Sequence, residues 1–205
     1  MVQVPTQLEP STLSLELPRH LNLYVTPEQF TALAASNRDL QLERTAQGEL
    51  IVNPPTGWET GKRNFSIIGQ LYRWYDDNGA IGEAFECSTG FTLANGAIRS
   101  PDAGWISQER WDALTDEQKG TFANICPDFV VELRSHSDTV KSLQEKMQEY
   151  MDNGAKLGWL IDPQTRTVAV YRVGLEVEIL SNPVELSGED ILPGFVLNLQ
   201  RVWEN

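Results

Sequence analysis

The chain has 205 residues, 29 acidic against 16 basic, giving a formal net charge of -13 and a pI near 4.5. Its length is that of one domain at roughly 100–200 residues per domain, and 40% apolar with 22% charged side chains is a globular rather than a disordered composition. The acidity argues against the simplest nucleic-acid binder, a domain with a pI above about 9 and a basic face, and no apolar run approaches the roughly 18 residues of a membrane span.

Residues 1–25 read as an extended lead-in punctuated by Pro5, Pro10 and Pro18, without an apolar core of signal-peptide length. A single domain is expected over residues 26–205. Thr26-Pro27-Glu28-Gln29 predicts a helix start, with Thr26 as cap, Pro27 at the first helical position and Gln29 completing a capping box. That helix should run to Asn37. Leu40–Arg44 and Glu49–Val52, around Gln47-Gly48, predict a hairpin ended by Pro54-Pro55. From Thr60, the spacing of Phe65, Ile68, Leu71, Tyr72 and Tyr75 predicts a second helix, closed by Asn78-Gly79.

Strands are expected at Glu83–Ser88, Phe91–Leu93 and Ala103–Ser107, with a turn at Asn95-Gly96 and two short helices over Gln108–Leu114 and Thr115–Lys119. Phe129–Leu133 is a short apolar strand, and Asp138 should cap a long helix that Gly154 ends. Leu157–Ile161, Thr167–Val173 and Val177–Leu180 complete the strands. Helices interleaved with strands and hairpins indicate an α/β or α+β domain with a mixed sheet. Cys87 and Cys126 fit neither a zinc nor a disulfide spacing and are expected as small buried hydrophobes of a reduced, cytoplasmic protein.

Charged groups where buried residues are expected mark the chemistry. Asp102 follows Ser100-Pro101 at the mouth of the Ala103–Ser107 strand. Glu132 lies within Asp128-Phe129-Val130-Val131-Glu132-Leu133-Arg134, where alternation puts Asp128, Val130, Glu132 and Arg134 on one face and Phe129, Val131 and Leu133 on the other. A carboxylate in so apolar a strand is costly unless it is paired or binds a cation. Lys146 sits at the edge of the stripe formed by Val140, Leu143, Met147, Tyr150 and Met151, placed to carry its ammonium back toward the sheet, whereas Lys141 faces solvent. Glu59 precedes the helix that opens at Thr60. Two carboxylates at adjacent strand ends are hard ligands suited to Mg²⁺, and an adjacent lysine can orient a water or neutralise developing charge. Taken singly, each has a plain structural reading: a turn, a salt bridge and a snorkelling lysine.

The run Pro127-Asp128-Phe129-Val130-Val131-Glu132-Leu133-Arg134-Ser135, followed by Lys146, Tyr150, Gly154 and Leu160-Ile161-Asp162-Pro163, resembles the Uma-type restriction endonuclease family, also called domain of unknown function 820. Pro55-Thr56-Gly57-Trp58-Glu59-Thr60-Gly61, Ser88-Thr89-Gly90-Phe91 and Arg99-Ser100-Pro101-Asp102-Ala103 agree with it, so the resemblance runs from Pro27 to Pro193. It implies a PD-(D/E)XK, restriction endonuclease-like fold, a mixed central β-sheet flanked by helices. It also implies a metal-dependent endonuclease hydrolysing DNA, with Mg²⁺ or a substituting Mn²⁺ on Asp102 and Glu132. By the same resemblance Lys146 is the motif lysine moved to the next helix, and Glu59 the helical acid, a place for which Asn64 competes. The sequence departs from the common pattern at Arg134, where a textual D/E-x-K has lysine, so Arg134 is an alternative partner for Glu132. His136 stands where such proteins often have proline and reads first as an exposed loop residue.

A catalytically inactive module that binds a protein partner is the competing expectation, which the net charge favours because phosphate contacts dominate nucleic-acid affinity. Lys62, Arg63, Arg73, Arg99, Arg134, Lys141 and Lys146 fall mid-chain, so a basic cleft on an acidic protein is expected if they cluster in space. Trp58 and Trp105 are expected as packing residues before base-stacking ones. A homodimer is expected by analogy with two-strand cleavage.

Overall fold

The structure is a computed structural model and describes residues 22–78 and 81–204, so most of the N-terminal lead-in lies outside the described residues. The last residues of that lead-in add to the first hairpin: Val25 N–H donates to Gly48 O at 2.8 Å and Leu50 N–H to Leu23 O at 2.7 Å. Helix α1 (Pro27–Ser36) carries the predicted capping box on Thr26. Strands β1 (Gln41–Arg44) and β2 (Leu50–Asn53) form the predicted antiparallel hairpin, and Gly48 takes the φ of +93° that its turn requires. Helix α2 (Trp58–Asn78) opens two residues earlier than Thr60.

The central sheet has six strands in the order β10 (Glu178–Ser181), β9 (Thr167–Arg172), β8 (Leu157–Asp162), β7 (Phe129–Leu133), β6 (Ala103–Ser107) and β3 (Gly82–Glu86). Only β7 and β8 run parallel, and a parallel pair needs a crossover, which α5 (Val140–Asp152) supplies. The mixed sheet with helical layers is the predicted architecture. A second sheet joins β2 and β1 to β5 (Ile98–Arg99) and β4 (Phe91–Thr92). Short helices α3 (Gln108–Asp112) and α4 (Asp116–Lys119) lengthen the β6–β7 connection. The pair β11 (Glu185–Ser187) and β12 (Val196–Asn198) and helix α6 (Gln200–Trp203) close the chain. These last elements are three or four residues each, too short to show a period.

Alternation along β7 splits the core as predicted. Phe129, Val131 and Leu133 join Ile67, Leu71 and Trp74 of α2 and Val202 and Trp203 of α6 on one face, while Val130 joins Leu143, Met147 and Tyr150 of α5 on the other. Gly158 lets α5 lie close, since a Cβ there would stand 2.5 Å from Met147 Cε. The cap of α5 is Thr139, whose hydroxyl accepts from Ser142 N–H at 3.1 Å; Asp138 instead accepts from Ser135 N–H at 2.8 Å, holding the loop before the helix. Along α2 the periodic residues divide between two faces: Leu71 is buried, but Phe65 and Tyr72 are 81% and 61% exposed. No described helix is long and apolar enough to cross a membrane.

Candidate active site

A cleft of about 850 Å³ opens between the β1–β2 hairpin, the start of α2, the ends of β6 and β7 and the first half of α5. The two acids singled out from sequence line it together with Lys146. Asp102 is held at both oxygens: Oδ1 accepts from Asn64 Nδ2 of α2 and Oδ2 from Leu133 N–H of β7, each at 2.8 Å. Burial raises its pKa, aided by the charge of Asp138 and opposed by the Leu133 N–H, Lys146 and Asn64.

Glu132 is 4% exposed, and Lys146 Nζ and the Tyr150 hydroxyl both reach its Oε1, at 2.8 and 3.1 Å. Burial, with the charges of Asp102 and Glu43 added, pushes Glu132 up to about 8 even against the Lys146 ammonium. Lys146 Nζ also lies 2.8 Å from Glu43 Oε1 and donates to Ser100 O at 3.4 Å. Its burial would lower its pKa, but Glu132 and Glu43 outweigh that and raise it. The ammonium therefore stays charged between Glu43, which is ionised, and Glu132, which ionises only near pH 8.

Glu43 is a member of the site that sequence reasoning missed. It is 4% exposed in the middle of β1 and accepts from Ser100 N–H at 3.1 Å while pairing with Arg99 at 3.2 Å. Burial works to raise it, and Lys146 and Arg99 together hold it below the ordinary carboxylate value. Arg99 continues the chain of charges to Glu149 of α5 at 2.6 Å, and Glu149 accepts from Asn95 at 2.9 Å. The signal for Glu43 was the one used for Glu132, an acid inside a strand. In Gln41-Leu42-Glu43-Arg44, however, polar neighbours give that acid no contrast.

The other sequence candidates fall elsewhere. Glu59 lies in the first turn of α2, its side chain 57% exposed, pairing with Arg63 and His136 at 3.5 Å each. Asn64, not Glu59, is the α2 residue brought to Asp102. Arg134 turns away from Glu132 to bind Asp162 at 2.8 Å and the Asp138 carbonyl at 3.3 Å, so Lys146 is the cation beside Glu132. His136 is exposed, Lys141 pairs with Glu145 on the solvent side, and Trp105 is core. Cys126 is buried, with a thiol that burial pushes up to about 12, but Cys87 is half-exposed and lines the cleft.

The expected basic cleft is not what forms. Seven carboxylates line it (Glu43, Glu49, Asp102, Glu132, Asp138, Glu145, Glu149), against the cations Arg99 and Lys146 and the imidazole of His136. Arg99 and Lys146 are already paired with those acids, and Arg63 is buried on the inward face of α2 with Nε donating to Val202 O at 2.9 Å. Anionic ligands gain no net positive field here from side chains alone.

The raised Glu132 carries a stability consequence. Its ordinary value is 4.5 and its folded value about 8, so between these the folded protein holds a proton that the unfolded chain releases. The contribution of Glu132 to stability is full below pH 4.5 and is lost as pH rises toward 8, at up to about 1.4 kcal/mol per unit for this one group. Denaturant unfolding in chelator from pH 5 to 8.5 should show this decline, and Glu132→Gln, with no proton to lose, should flatten it. Parallel slopes for the two proteins would contradict the raised value.

Comparison with known proteins agrees with this architecture. A search of curated proteins gives no match. A solved structure described as "a putative nuclease belonging to DUF820 from Anabaena variabilis ATCC 29413" superposes with a TM-score of 0.66 at 22% identity, over 79% of this chain and 89% of that one. At that identity the likeness speaks to the fold, not the chemistry. The family described as "Putative restriction endonuclease" (Uma2) matches residues 27–200. That span runs from the first residue of α1 to the first of α6 and takes in every residue of the charged cluster, so the chain belongs to this Uma2 family.

Proposed function

We propose that the cleft is the active site of a DNA endonuclease that hydrolyses phosphodiester bonds with a divalent cation held by Asp102 and Glu132. The observation that carries this reading is a pair of acids lining one cleft, Asp102 just before β6 and the buried Glu132 on the neighbouring β7, both with raised pKa and each destabilised in part by a negative neighbour. A cation between them would relieve that cost. The donors are hard oxygens, and the buried Oδ1 of Asn64, beside Asp102, has no hydrogen-bond partner. Among the described residues no trio of His, Cys, Asp and Glu converges. Mg²⁺ needs no such trio, because it takes one or two carboxylates and keeps several waters. Mn²⁺ would serve as substitute.

When bound, such an ion polarises a phosphoryl oxygen and lowers the pKa of a water. The chain's own residues do the rest. Asn64 and the Leu133 N–H fix the rotamer of Asp102. Lys146, anchored by Glu43, keeps a positive charge beside Glu132 where negative charge builds on the phosphate. Tyr150 orients the Glu132 carboxylate from below. Supercoiled plasmid should be nicked in Mg²⁺ or Mn²⁺ and left intact in chelator. Pure protein that never nicks plasmid with either ion would refute the reading.

The acidic lining favours one second reading, a module that keeps the fold and holds a basic segment of a protein partner. Pull-down of such a partner, unaffected by Asp102→Asn and accompanied by no cleavage, would select it.

A further inference from the structure

The exposed face of α2 is the largest feature that the cleft does not use. Along its 21 residues, Arg63, Ile67, Leu71 and Trp74 face the core. On the opposite face Trp58, Phe65 and Tyr72 recur every seven residues and are 96%, 81% and 61% exposed. At 1.5 Å rise per residue the rings stand about 10.5 Å apart on one line. Apolar residues at one position of a seven-residue repeat give half of the a/d pattern by which helices meet, the other half here being Lys62, Gly69 and Asp76. Among the described residues no other element covers these three side chains.

Gly69 lies on the same face, between Phe65 and Tyr72. It is exposed, and a Cβ added there would meet nothing within 4 Å. Glycine inside a helix costs about 0.5–1 kcal/mol relative to alanine, and no packing within the chain requires it here. A flat spot between aromatic side chains lets a second backbone come close.

Charge sets the direction of that second backbone. Lys62 and Asp76 are both exposed, and each stands seven residues from Gly69, on opposite sides. Asp76 and Asp77 close a helix whose last turn holds no basic residue, an arrangement that opposes the helix dipole, with the exposed Arg73 one turn earlier as the nearest cation of the same helix. A parallel pair of α2 helices would set Lys62 on Lys62 and Asp76 on Asp76. An antiparallel pair crossing at Gly69 sets Lys62 on the second copy's Asp76 twice over and brings Phe65 to the second copy's Tyr72. This is the self-complementarity a two-fold axis demands.

We propose that the chain forms a homodimer through α2, antiparallel and two-fold about Gly69, with Phe65 and Tyr72 as its apolar seam and Trp58 at the rim, past the end of the second copy's helix. Phe65 and Tyr72 of both copies, at about 150–250 Å² each when covered, supply roughly 600–1,000 Å², and the side chains flanking them bring the total toward the lower bound of specific interfaces. The proposal stands on α2 alone and does not depend on the nuclease reading.

Sedimentation velocity of the full chain at tens of micromolar tests it. The expected species has twice the 23.0 kDa chain mass. Phe65→Asp should give a monomer with unchanged circular dichroism. Lys62→Glu and Asp76→Lys should each weaken dimerisation by at least about tenfold, and the double variant, which restores opposite charges only in the antiparallel arrangement, should recover it. A monomeric wild-type chain would overturn the proposal. So would a dimer indifferent to Phe65→Asp, or a double variant weaker than either single one. A monomer in which Phe65→Asp abolishes binding of a single-stranded oligonucleotide would overturn it in favour of a stacking surface.

Discussion

Asp102→Asn is expected to lower plasmid cleavage by about 10³-fold while leaving thermal stability nearly unchanged, the loss corresponding to about 4 kcal/mol of transition-state stabilisation. The amide keeps one oxygen to accept from Leu133 N–H, which the carboxylate now does at 2.8 Å. Its new N–H₂ would face Asn64, whose side chain can turn over and offer Oδ1, the buried oxygen that at present has no partner. What the substitution cannot replace is the negative charge. Asp102→Ala is the less informative variant, because it also strips the acceptor from a buried N–H at a cost of about 1–3 kcal/mol. Cleavage assays paired with melting curves separate the two effects. A variant that retains more than a tenth of wild-type cleavage would remove Asp102 from the reaction.

Lys146→Met should be the most destabilising single change in the cleft. The ammonium lies 2.8 Å from both Glu132 and Glu43, each 4% exposed, and removing it leaves two carboxylates buried against one another. Breaking such an arrangement costs about 3–5 kcal/mol, or roughly 6–20 °C in melting temperature for a chain of this size. Both carboxylates then rise in pKa, so the deficit should shrink as pH falls and grow as it climbs. Glu43→Gln added to Lys146→Met should recover part of the loss, giving a coupling energy of about 1–3 kcal/mol in a double-mutant cycle. Thermal melts at pH 5 and pH 8 measure both effects. A Lys146→Met protein as stable as wild type at pH 8 would show that the ammonium does not hold the two acids together.

Much of this site was legible because local rules and the tertiary fold agree there. The β7 bounds, Phe129–Leu133, follow from a short apolar run, and strand alternation put Glu132 on the face opposite Phe129. The helical stripe of α5 placed Lys146 at its edge, which is where a long side chain can reach back to the sheet. The losses have physical causes as well. Glu43 sits in a strand of polar neighbours and becomes buried only because β5 and α5 close over it. Asn64 and Glu59 are five residues apart on one helix, and a two-residue difference in where α2 begins was enough to leave their roles open. Arg134 shares an alternation class with Glu132, but β7 ends at Leu133, so the side chain leaves the sheet and finds Asp162. The basic residues are close in sequence, yet Arg63, Arg99, Arg134 and Lys146 are drawn into pairs with acids, while Lys62, Arg73 and Lys141 are exposed and do not line the cleft, which is left negative. Phe65 and Tyr72 have core-like spacing, but the narrow inward face of α2 is filled by Ile67, Leu71 and Trp74.

That negative cleft returns to the net charge of -13. Phosphate binding to such a surface requires a cation that the side chains do not supply, since Arg99 and Lys146 are already neutralised by Glu43, Glu132 and Glu149. Acidity and nuclease chemistry are therefore compatible only through a metal ion. Crystals grown near pH 8 and soaked in Mn²⁺ test this most directly by anomalous scattering. The account predicts one strong peak bonded by carboxylate oxygens of both Asp102 and Glu132. A cleft without manganese, or manganese only on surface acids such as Glu145, would contradict it.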